Sequence, residues 1–164
     1  MAKNRSDGPV TLSVLDRLID DPNVSEDVFL TRSKSLRELK QAVRRDLEWL
    51  LNTRHPVVEV PEGTEVRNSV FMYGLPDITS MTVRSTRDRK RLTESIQAAV
   101  AKFEPRLANV RVSLVTVADE KVPSLRFVIE GLLRVDPSPE QVSFDTVLEL
   151  SSGEYKVQGE AGAR

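Results

Sequence analysis

At 164 residues, with 39% hydrophobic and 30% charged residues, the chain has the size and composition of one domain that buries its own core. It has no cysteine and a single histidine, His55, which excludes thiol catalysis, thiolate metal sites, and any histidine pair or cluster. A net charge of −1 argues against a dedicated nucleic-acid binder.

No apolar run approaches the ~20 residues needed to span a bilayer, and Met1 to Pro9 carries no apolar signal core. The reading is therefore a soluble chain without membrane insertion, and the lack of cysteine fits a reducing cytoplasm. The charge is uneven. Arg84, Arg87, Arg89, Lys90 and Arg91 face only Asp88 in their stretch, whereas Asp136, Glu140, Asp145, Glu149 and Glu154 have no cation among them. Such polarity suits a subunit that meets different neighbours on different sides, as well as two solvated faces.

In chain order, residues 1–10 read as a flexible leader, 11–157 as one domain and 158–164 as a loose tail. Thr11 is placed to cap a short helix with Leu12, Leu15, Leu18 and Ile19 on one side, ended by Asp20-Asp21-Pro22. Residues 23–34 are polar and read as a loop. Ser35 and Glu38 then form a capping box, and Leu36, Leu39, Val43, Leu47 and Leu50 step at three and four. Trp49 and Leu51 widen that apolar face, and Pro56 stops the helix, with Arg54 and His55 suited to its negative end. His55 thus reads as a capping or surface residue.

Further on, Thr64 is a candidate cap for a short helix carrying Val66, Val70 and Tyr73, with Gly74 as its left-handed C′ residue and Pro76 preventing continuation. Ser85 and Asp88 make a second capping box, before a helix with Leu92, Ile96, Val100 and Phe103 on one face. After Pro105 the period changes to two: Val110, Val112 and Leu114; then Leu125, Phe127, Ile129, Leu133 and Val135; then Val142, Phe144, Leu148 and Leu150. A further edge strand follows Gly153, around Tyr155 to Val157. Helices first and strands last, with short links, predict an α+β fold of N-terminal helices packed on a small antiparallel sheet. The sheet edges are open to pairing with another chain.

Phe103-Glu104-Pro105-Arg106-Leu107 stands at the change of period. Pro105 ends the helix and pushes Glu104 toward an extended conformation, so Glu104 and Arg106 project to one side, with Phe103 and Leu107 as anchors. Two readings fit: a helix terminator with a structural ion pair, or a preorganised polar plug for another protein.

No phosphate loop, dinucleotide fingerprint, nucleophile elbow or metal-ligand spacing occurs, so no catalytic residue, metal or cofactor is assigned. Paired carboxylates for a muramidase are the enzymatic alternative. Asp46 and Glu48 lie about 200° apart around a helix and cannot face one bond. Glu104 sits beside Arg106, which favours the ionised form, whereas a general acid must hold its proton. With five Phe, two Tyr and one Trp in all, and none interleaved with the 84–91 cations, a base-stacking platform is not built either.

Four segments occur in an order and spacing that resemble one family: Ser13-Val14-Leu15-Asp16-Arg17-Leu18, Arg45 to Arg54 (RDLEWLLNTR), Tyr73-Gly74-Leu75-Pro76-Asp77, and Phe103 to Leu107. Over roughly residues 11–150 the chain resembles TssE, the type VI secretion baseplate subunit related to a wedge protein of contractile phage tails. The resemblance implies a non-enzymatic structural subunit that joins TssF and TssG in a cytoplasmic wedge. It also implies a sheet related to the strand-exchanging domain of the sheath, able to start polymerisation of the sheath subunits TssB and TssC. The family's Glu-Pro-Arg signature falls on Glu104, Pro105 and Arg106 as wedge-docking residues, and Val110, Val112 and Leu114 become the candidate sheath-facing strand.

Overall fold

The computed structural model describes residues 32–78, 82, 85–115 and 124–160, with Val14 and Leu18 as isolated helical positions. The leader, most of the helix expected around residues 12–19, and residues 161–164 lie outside the described residues.

Helix α1 (Arg32–Asn52) buries Leu39, Val43, Leu47, Leu50 and Leu51 along the stripe its spacing requires. It begins before the expected capping box, so residues 32–34 are helical and not loop. Ser35 is an interior residue, fully buried, because nothing in Arg32-Ser33-Lys34 breaks a helix. The helix also stops before Pro56, at Asn52. Arg54 still serves its end, donating from Nη1 to the Leu51 carbonyl at 2.7 Å. Trp49 does not widen the apolar face, being 51% exposed.

The short helix expected after Thr64 is two 3-10 turns, Glu65–Asn68 and Val70–Met72, broken at Ser69, whose hydroxyl accepts from the Phe71 N–H. Thr64 makes no capping bond, because its hydroxyl donates to the Pro61 carbonyl at 2.9 Å. Tyr73 to Asp77 ends the second of these 3-10 turns, with Tyr73 N–H donating to Val70 O at 3.0 Å and Gly74 following at positive φ, and then goes further. It lays Leu75 beside Arg54 in a parallel bridge, with Leu75 N–H donating to Thr53 O at 2.9 Å and His55 N–H to Leu75 O at 3.1 Å. Gly74, at φ +112°, is needed for that approach: a Cβ there would stand 2.5 Å from Thr53 O.

Helix α2 (Thr86–Phe103) starts as its sequence dictates, with the Ser85 side chain accepting from Asp88 N–H. The Asp88 carboxylate reaches back to Thr82 N–H at 3.1 Å. Leu92, Ile96, Ala99 and Val100 are buried. Four strands follow, β1 (Leu107–Val115), β2 (Ser124–Leu133), β3 (Glu140–Glu149) and β4 (Glu154–Glu160), in the antiparallel order β1-β2-β3-β4. The fold is therefore α+β, helices N-terminal to the sheet. β4 extends to Glu160, so residues 158–160 belong to the sheet and not to a tail.

One sheet face, with Phe127, Ile129, Leu133, Val142, Phe144, Leu148, Tyr155 and Val157, joins the buried residues of both helices in a single core. The other face carries exposed Arg111, Arg126, Glu130 and Lys156. Leu150 lies in the β3–β4 turn, and Val135 is buried just past β2. A bulge between Ala108 and Arg111, with Asn109 at φ +52°, bends β1 soon after it starts.

Candidate docking site

The turn after α2 places the site. Glu104 caps the helix, its N–H bonded to Val100 O, and its own carbonyl accepts from Leu107 N–H at 3.1 Å, closing a turn over Pro105 and Arg106. Glu104 is at φ −118°, ψ 77°, so it is not the extended residue expected. The turn nevertheless brings Glu104 and Arg106 together. The Glu104 carboxylate accepts from the Arg106 backbone N–H at 3.2 Å, from Nε at 2.6 Å and from Nη2. The expectation of two charges held outward is corrected for Glu104, which is only 3% exposed. Among the described residues its oxygens find donors only in the turn's own Arg106, which holds the carboxylate against the turn. Pro105 is exposed, and Arg106 is partly so.

The sequence reading missed Asp46. The Arg106 guanidinium donates from Nη2 to Asp46 Oδ2 at 2.6 Å, across to α1. Asp46 Oδ1 is in turn held by Arg45, from Nε at 3.1 Å and Nη2 at 2.9 Å, and the Arg45 guanidinium lies 4.8 Å from the centre of the Trp49 ring. The signal was present. Asp46 falls between Val43 and Leu50 on the apolar stripe, and an acid there requires a cation from another element. Burial by itself lowers the pKa of Arg106. The hydrogen bonds and charges of Glu104 and Asp46 more than reverse this and hold it above its ordinary value.

Beside this cluster is a cleft of about 450 Å³ whose walls include Trp49, Tyr73, Phe103 and Pro105. Tyr73 and Phe103 meet edge to face, 5.3 Å between centroids. The Tyr73 hydroxyl is pushed above its usual pKa by burial, then by the charges of Asp46 and Glu104.

Val110, Val112 and Leu114 lie on β1, an edge strand, with Val112 buried and the other two half-buried. Val112 N–H is directed away from β2 and donates to Gln97 Oε1 of α2 at 3.2 Å. By the two-residue alternation of an antiparallel strand, the amide of Leu114 also lies on the outer edge. None of the three joins the Arg106 cluster by a hydrogen bond. Of the basic stretch, Arg87, Lys90 and Arg91 are exposed on the first turns of α2, and Lys90 comes within 3.8 Å of Glu94. Arg84 lies outside the described residues. His55 takes no part in the cluster, its Nδ1 lying 3.0 Å from Pro56 O. Among the described residues, no group of His, Asp or Glu is arranged to hold a metal ion, and no helix is long and apolar enough to cross a membrane.

Fold and site together define a small helix-on-sheet domain whose charged centre ties the end of one helix to the side of another. A family model described as baseplate wedge protein gp25 matches residues 37–138, and the chain belongs to that family. TssE is the type VI secretion homologue of gp25, so the match agrees with the resemblance carried by the four motifs, three of which lie inside the matched range. At the family's level the role is structural, that of a baseplate component. No curated protein matches the chain.

Proposed function

We propose that this chain is the TssE-like wedge subunit of a type VI secretion baseplate, a non-enzymatic adaptor in the bacterial cytoplasm. In this reading it docks on TssF and TssG through the turn of Glu104, Pro105 and Arg106. It then offers a sheet edge to a strand of the first ring of TssB and TssC, and so helps to start sheath polymerisation.

The observation that carries the reading is the clasp of Asp46, Arg106 and Glu104 behind an exposed Pro105. Charged hydrogen bonds lock the turn before any partner arrives, and a preorganised turn loses little entropy on docking. The same clasp speaks against the muramidase alternative. All four oxygens of the two nearest carboxylates accept from arginine or from the Arg106 backbone, leaving neither acid arranged to deliver a proton to a sugar.

The test is co-expression of the tagged chain with its neighbouring operon products, followed by affinity purification and mass measurement. A stoichiometric complex with TssF and TssG, without release of sugars from peptidoglycan, is expected. Cell-wall hydrolysis by the purified chain, lost on substitution of one acid, would overturn the reading.

A further inference from the structure

The cleft beside the Arg106 clasp has an unequal supply of hydrogen-bonding groups. Every carboxylate oxygen of Asp46 and Glu104 already accepts a bond. On Arg106, Nε and Nη2 are spent on those oxygens, while Nη1 makes no hydrogen bond among the described residues. Nor is Nη1 among the buried atoms lacking a partner, so solvent reaches it. The cleft therefore has donors to give and no free carboxylate acceptor.

Its charges also balance, because Asp46 and Glu104 are matched by Arg106 and Arg45. A carboxylate arriving at Nη1 would meet two acids already sharing that guanidinium. A cation would find their oxygens occupied. A neutral acceptor fits, and the one that every residue of a partner chain offers is its main-chain carbonyl. The rest of the lining is aromatic and aliphatic, and Trp49 stands 51% exposed. Trp, Tyr and Arg in one concave place are the residues that carry binding energy in protein interfaces, and the volume suits one or two apolar side chains.

We propose that this cleft seats an uncharged segment of the wedge core that the chain docks on. One aliphatic or proline side chain of that segment lies between Trp49, Tyr73 and Pro105, and the adjoining carbonyl accepts from Arg106 Nη1. The inference rests on the wedge reading and sharpens it. The docking surface is the cleft wall and one face of the guanidinium, while Glu104 acts from behind as a positioning residue.

Trp49 is the only tryptophan in the chain, which gives the test a clean reporter. The full chain labelled with 5-fluorotryptophan is titrated with unlabelled wedge core complex and followed by fluorine NMR. The single resonance should shift or broaden on binding. Trp49→Ala should weaken binding at least ~10-fold, as expected of an interface anchor. Val70→Ala, exposed on the 3-10 turn Val70–Met72 outside the cleft, should stay within about twofold of the parent. Binding that leaves the Trp49 resonance unmoved overturns the cleft as the seat and leaves the wedge reading intact. An absence of any complex overturns the wedge reading itself. A shift produced by the labelled chain alone as its concentration rises would make a second copy the occupant and overturn the proposal.

Discussion

Asn52 clasps the backbone of Tyr155 with both ends of its carboxamide. Its Oδ1 accepts from Tyr155 N–H at 2.9 Å and its Nδ2 donates to Tyr155 O at 2.8 Å. The last residue of α1 thus pairs with edge strand β4 as another strand would, while Nδ2 also bonds Glu48 O at 2.9 Å. Gln97 does the same more weakly for β1, the opposite edge, through one bond to Val112 N–H. Each outer strand is therefore closed at one point by an amide from the helix packed near it, which limits unwanted edge pairing. Asn52→Leu should cost about 2 kcal/mol in urea unfolding, from the lost bonds and the unpaired main-chain groups of Tyr155. Asn52→Asp keeps only the acceptor and should recover less than half of that. Full stability in both variants would mean that the amide is incidental.

Tyr155 carries the opposite imbalance on its side chain. The ring is fully buried, and its hydroxyl is buried with no partner among the described residues. Burial pushes its pKa up to about 12, partly offset by the Arg54 guanidinium 5.7 Å from the ring centre. The neutral form is favoured in the folded state, so this contribution is complete below the unfolded value of about 10 and is lost as pH rises toward 12. Unfolding free energy should fall by about 2 kcal/mol across that window. Tyr155→Phe should remove most of that slope and, by deleting an unpaired hydroxyl, raise stability at neutral pH by about 1 kcal/mol. A variant that is less stable at neutral pH would show that the hydroxyl is satisfied after all.

The helices and strands were legible because their signals are local. The stripe through Leu39, Val43, Leu47 and Leu50 and the alternation from Phe127 to Leu133 each read out one buried face. The Ser85 cap required only a residue three positions on. What was hidden depends on distant partners. The Ser35 box matched a capping pattern, but a three-residue spacing cannot reveal that the helix begins earlier. Gly74 takes the positive φ that its place after a helical turn predicts, whereas its second demand, the close approach of Thr53 O from another part of the chain, leaves no local signal. The Glu104-Arg106 pairing was visible as spacing, whereas its third member sits on another helix and was signalled only by an acid on an apolar stripe.

The Gly74 contact makes a direct prediction. Gly74→Ala sets a Cβ 2.5 Å from Thr53 O at a φ that side chains rarely adopt. The Arg54–Leu75 bridge must open to relieve it, carrying the fully buried Leu75 with it. The expected cost is about 3 kcal/mol, read as a lower midpoint in denaturant, with faster hydrogen exchange at the amides of His55 and Leu75. Unchanged exchange at both amides would show that the bridge accommodates the methyl group.

If β1 is the edge that receives a sheath strand, proline at one outward amide should block it selectively. Leu114→Pro removes a donor that faces away from β2 and leaves the β1–β2 ladder its own bonds. Sheath polymers should be lost in cells, while the complex with TssF and TssG is retained at normal yield. Normal sheath formation would exclude β1 as the acceptor. Leu114 also packs against the core, so loss of the wedge complex as well would mean a broken fold if the variant's circular dichroism melt has collapsed, and inseparable contacts if it has not.

Folding and docking at the Arg106 clasp can be separated by removing the charges in sequence. Arg106→Ala deletes a partly buried cation and leaves Glu104, whose side chain is only 5% exposed, with a single backbone donor. Stranding a buried carboxylate in this way should cost about 3 kcal/mol. Asp46→Ala removes an acid that solvent already reaches, with 25% of its side chain exposed, and should cost about 1 kcal/mol. Adding Glu104→Leu to Arg106→Ala removes the stranded charge and should restore more than half of the lost stability, because an apolar pair in a buried site avoids the desolvation penalty. Binding to the wedge core should not return in that double variant, since the guanidinium donor remains absent. Recovery of stability without recovery of binding assigns Arg106 to both tasks; recovery of the two together would make its role in docking a by-product of keeping the turn folded.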